Sequence, residues 1–122
     1  MPGDCRAQPL QGFDYVACRI DLLTAAVTVS SQQDPEVFGN PRKAGTHLFH
    51  LDKANRLLEE ARTSPKQRTK LRLTMRQLRT FNRALEKTTR NGKTPPDLAA
   101  FLSGLVQEAL AELEVLFEAA PS

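Results

Sequence analysis

Residues 64–92 read SPKQRTKLRLTMRQLRTFNRALEKTTRNG, and this stretch decides the fold. Leu71, Met75, Leu78, Phe81 and Leu85 recur at steps of three and four residues, the period of a helix. Ser64-Pro65 supplies a start, with serine as N-cap and proline at the first helical position. Asn91-Gly92 supplies a stop. Asn82 falls within the apolar stripe and is expected to be a buried polar residue that helps fix register.

The same period continues on both sides of this segment. From Phe13 to about Ser31, the residues Phe13, Val16, Ala17, Ile20, Leu23 and Val27 mark a helix. Its opposite face carries Tyr15, Cys18, Leu22 and Val29, and a helix apolar on two sides is usually buried on two sides. Those four residues are the expected oligomer interface, with a homodimer as the simplest closed assembly. A second helix is expected from Thr46 to Thr63, with Leu48, Leu51, Ala54, Leu58 and Ala61 inward. A fourth opens at Thr94-Pro95, with Leu98, Leu102, Leu105, Ala109, Leu113 and Leu116 inward. Residues 32–45, with Asp34-Pro35, Gly39, Asn40-Pro41 and Gly45, read as a loop that Val37 and Phe38 hold against the core.

Long helices joined by short links pack as antiparallel neighbours. The expected fold is therefore all-α: a four-helix bundle, up-down antiparallel, in one domain spanning 1–122. Residues 1–12, with Pro2, Gly3, Pro9 and Gly12, are expected to be a loosely ordered lead-in.

Composition agrees with a small helical domain. The chain has 122 residues, 40% hydrophobic and 25% charged, with no Trp. Leu and Ala must fill its core, which favours helices over sheets. There is no apolar run of roughly 18 residues, so no membrane span is expected. The N-terminus does not read as a signal peptide. Cys5 and Cys18 lack metal-ligand or redox spacing, and are expected to be free thiols in the cytoplasm.

The net charge of +3 conceals a strong segregation. Residues 65–93 hold ten Lys or Arg against the single Glu86, whereas residues 94–122 hold five acids and no base. Within the third helix, Arg72, Arg76, Arg79, Arg83, Lys87 and Arg90 follow at steps of 4, 3, 4, 4 and 3 residues. At 100° per residue they occupy a sector of about 80°, and Arg68 extends the ridge. Guanidinium groups suit bidentate contact with phosphate or carboxylate. Like charges four residues apart destabilise an isolated helix, so something must offset them. Internal partners are one solution: Glu108 and Glu112 on the fourth helix, or Glu59 and Glu60 on the second. An acidic protein surface or a nucleic-acid backbone is the other. The function expected from this ridge is that of a non-enzymatic interaction or adaptor protein that meets an anionic partner. A nucleic-acid-binding accessory role is the alternative.

Chemistry-bearing motifs are sparse. His47 and His50, the only histidines, lie at i and i+3, but no spacing supplies the further ligands a metal needs. There is no Glu-x-x-His, no P-loop and no Gly-x-Ser-x-Gly. No cofactor, metal or catalytic residue is expected. Arg42-Lys43-Ala44-Gly45-Thr46-His47 has the Arg-x4-His spacing. In these six residues the chain resembles the HEPN superfamily, small all-helical proteins many of which are ribonucleases. That resemblance implies Arg42 as a phosphate contact and His47 as a general base.

Overall fold

The computed structural model describes residues 11–121. Four helices follow in order: α1 Gly12–Gln33, α2 Pro41–Thr63, α3 Gln67–Arg90 and α4 Pro96–Ala119. Each packs on its chain neighbours, and α1 closes the ring against α4. Among the described residues no Cα pair across the α1–α3 or α2–α4 diagonal comes within 8 Å. This is the up-down antiparallel four-helix bundle that the periodicity predicts. The expected loose lead-in over 1–12 lies outside the described residues except at its end, where Gly12 already opens α1.

The core is built from the inward stripes. Ile20 and Leu23 share one core cluster with Leu51, Leu58, Leu78, Phe81, Leu102 and Leu113, all with no exposed surface. Burying one such side chain contributes about 1.5–3 kcal/mol, so the stripes supply most of what holds the helices together. Val37 and Phe38 are buried and hold the α1–α2 link onto this core, as expected.

Helix ends differ from the sequence expectation in three places. First, α2 begins at Pro41 rather than Thr46. Asn40-Pro41 is not a loop turn: the Asn40 side-chain oxygen accepts the Lys43 N–H at 2.9 Å, and Pro41 occupies the first helical position. Second, Ser64 closes α2 instead of capping α3. Its N–H donates to the Glu60 carbonyl, and its hydroxyl oxygen accepts the Lys66 N–H at 3.0 Å. Third, Thr94 does not cap α4. Its buried hydroxyl donates to the Val37 carbonyl at 2.7 Å and lies 2.8 Å from the Thr88 hydroxyl.

Two ends depend on glycine. Gly92, at φ +78°, lets the Lys93 N–H reach back to the Thr88 carbonyl and its own N–H reach Thr89, which closes α3 as expected. Gly12, at φ +67°, turns its N–H toward α4, where Glu112 Oε2 accepts it at 3.0 Å. A distant carboxylate thus satisfies the first turn of α1, whose N-cap Gln11 makes no side-chain cap.

Cys18 overturns the expectation of free thiols. It is buried and disulfide-bonded. The chain has one other cysteine, Cys5, which lies outside the described residues.

Candidate functional site

The ridge on α3 follows from helix geometry. Its apolar stripe faces the core, and Arg72 through Arg90 fall between the flank beside α4 and the outward side. Arg72, Arg76, Arg79, Arg83, Lys87 and Arg90 are exposed, and Arg68 is half-buried. The seven divide into three groups.

Arg68 and Arg72 are engaged at the end of α4. Arg68 Nε donates at 3.2 Å to the Phe117 carbonyl, which also accepts the Ala120 N–H at 3.3 Å in the last turn of α4. The guanidinium carbons of Arg68 and Arg72 lie 4.8 and 5.5 Å from the Phe117 ring centroid. These two bind the last turn of α4 through a charge–dipole and a cation–π contact. Arg79 meets Glu114 at 3.4 Å, with both side chains about half exposed. A pair so solvated contributes between nothing and about 1 kcal/mol. Arg76, Arg83, Lys87 and Arg90 form no ion pair among the described residues.

The acids named as internal partners lie elsewhere. Glu108 accepts Arg19 Nε of α1 at 2.8 Å, and Glu112 accepts the Gly12 N–H. Glu59 pairs with Arg62 of its own helix at 3.0 Å. Glu60 meets Lys70 at 2.8 Å, a lysine on the α2 side of α3 and off the ridge; this contact holds the Glu60 carboxyl below its usual range. Glu112 and Glu114, two residues apart, point 200° apart around α4. Of these two, only Glu114 is on the α3 side.

A groove between α3 and α4 runs beside the ridge. Two adjoining hollows of about 540 Å³ each share Asn82 and Glu86. Ala99, Ala100, Ser103 and Ala111 make the α4 wall, and such small side chains leave the space open. Asn82 is therefore at the groove edge rather than in the core. Its Oδ1 is buried and has no hydrogen-bond partner. The sequence signal for this groove is the small-residue flank of α4, which the charge pattern of α3 overshadowed.

The histidines take structural places. His47 is 2% exposed and lies between Phe38 and Phe81, each ring centroid 5.0 Å away and nearly perpendicular. Neither ring nitrogen has a hydrogen-bond partner. Burial, then nearby His50 and Lys43, lower its pKa from 6.5 to about 4, so the ring is neutral at pH 7. His50 Nδ1 is 2.8 Å from Gln77 Oε1. Arg42 is exposed, and five helical positions separate it from His47, a turn of 140° around α2. Among the described residues no three His, Cys, Asp or Glu gather as a metal site.

The four α1 residues expected at an oligomer interface do not form one open surface. Val29 is exposed, Tyr15 and Leu22 are half-buried, and Cys18 is buried in its disulfide. The Arg19 guanidinium covers the Tyr15 ring at 4.2 Å. No described helix is long and apolar enough to cross a membrane. Compared with known proteins, the chain matches no family model, no curated protein and no solved structure.

Proposed function

We propose that this chain is a non-enzymatic interaction module that docks an anionic partner on the α3 ridge. One observation carries this role: Arg76, Arg83, Lys87 and Arg90 are exposed with no ion pair among the described residues, while Glu108 and Glu112 are occupied by α1. Four unpaired cations over about four turns of one helix form a ridge roughly 20 Å long. Three are arginines, whose planar donors fit carboxylate and phosphate.

An acidic protein fits this ridge better than a nucleic acid. Sequence-independent binding of single strands uses aromatic faces for stacking. The aromatic ring next to the ridge, Phe117, is covered by Arg68 and Arg72. The role needs no second copy of the chain, so the α1 dimer is not part of it. Nor is a cytoplasmic location part of it.

The test is binding of two anionic probes, polyglutamate and a single-stranded oligonucleotide, across a salt series. The role predicts polyglutamate binding that weakens steeply with salt and is lost in Arg76→Glu/Arg83→Glu. Failure of both probes at low salt refutes it. Oligonucleotide binding alone transfers the ridge to the accessory nucleic-acid role.

A further inference from the structure

Resting on this docking role, we infer that the partner is an acidic amphipathic helix of another protein, seated in the α3–α4 groove with its carboxylates on the ridge. The groove extends from Ala99 to Glu114 along α4, fifteen residues or about 22 Å. That length accepts a helix of about four turns. Leu85, Ala99 and Ala100 give it an apolar floor at one end, and Leu110 and Ala111 at the other. Helix-in-groove recognition places apolar anchors at i, i+3 or i+4, and i+7 into such a floor.

Charge selects the sign of the occupant. Arg79, Arg83 and Arg90 rim the groove, with Arg76 and Lys87 beyond them on the same helix. Two acids also line it, but Glu114 is held by Arg79, leaving Glu86 as the one acid facing an excess of arginine. A nucleic-acid backbone would meet the ridge and leave the apolar floor uncovered. A second copy would bring its own α4, on which Glu108, Glu112 and Glu114 already have partners. Asp97 and Glu118 are too few for the four cations that have no ion pair among the described residues. An external acidic helix satisfies both the floor and the rim.

The experiment is selection of a displayed random peptide library on the full chain at physiological salt. Single-stranded oligonucleotide binding and sedimentation are measured alongside. Ala100→Phe, at an exposed position, and Ser103→Phe each fill the groove and leave every ridge charge in place. If one fails to fold, the other carries the comparison. The expected result is enrichment of acidic peptides with apolar residues at helical spacing, whose affinity falls about tenfold or more in the filled variants and in Arg83→Glu. Enriched acidic peptides without that spacing, binding the filled variants equally well, overturn the groove and leave the ridge role standing. So does oligonucleotide binding with no peptide enriched, or a dimer that Ala100→Phe dissociates. If no anion binds at all, the docking role itself fails with it.

Discussion

Arg19 Nε on α1 donates to Glu108 Oε1 on α4 at 2.8 Å, so Glu108 sits on the flank of α4 that faces α1 rather than the basic helix. The Arg19 side chain is 14% exposed and the Glu108 side chain 51%. The pair works as a clasp between first and last helices, and Glu112 at the Gly12 N–H extends it by one turn.

Because Glu108 is half exposed, the clasp is worth little in stability. Glu108→Gln is expected to lower the unfolding free energy by about 0.5–1 kcal/mol, read from urea melts. Polyglutamate affinity should stay the same, since Glu108 does not screen the ridge. A large gain in polyanion binding by this variant would show that Glu108 faces α3 after all.

His47 makes stability fall in acid. Its folded pKa of about 4 lies below the unfolded value of 6.5, so between these values the unfolded chain binds the extra proton. The contribution is fully present above pH 6.5 and is lost as pH falls toward 4. Its size is on the order of 3 kcal/mol. His47→Leu keeps an apolar side chain between Phe38 and Phe81 and should flatten this slope in urea melts between those pH values. An unchanged slope in the variant would place its origin in the carboxylates.

Thr94 joins the α3–α4 corner to the α1–α2 link through the Val37 carbonyl. Thr94→Val removes the donor and leaves a buried carbonyl unpaired, at a cost of about 1–3 kcal/mol. Thr94→Ser retains the hydroxyl and should recover most of the loss. Equal losses in the two variants would assign the effect to the methyl group's packing.

Much of the fold is legible in the sequence. The Leu71–Leu85 stripe and its counterparts define four helices, and Asn91-Gly92 marks the end of α3. Asn40-Pro41 misleads because the same dipeptide serves a turn and a helix start; only the Lys43 N–H reaching Asn40 distinguishes them. Ser64 misleads for the same reason at the opposite end of a helix. The site is legible in part. Spacing places the seven basic residues on one ridge, but it does not tell whether Glu108 and Glu112 face α1 or α3. That depends on the hand in which four antiparallel helices close their ring, and a stripe pattern is the same for both hands. Cys18 is hidden for another reason: two cysteines without motif spacing do not announce a bond.

Arg76, Arg83, Lys87 and Arg90 have no ion-pair partner among the described residues. Urea unfolding of Arg76→Glu/Arg83→Glu against the parent chain tests this most directly. Because reversal removes like-charge neighbours and no ion pair, stability should stay within about 0.5 kcal/mol of the parent, or rise. A loss greater than about 1 kcal/mol would mean that these arginines are neutralised within the fold and not left for a partner.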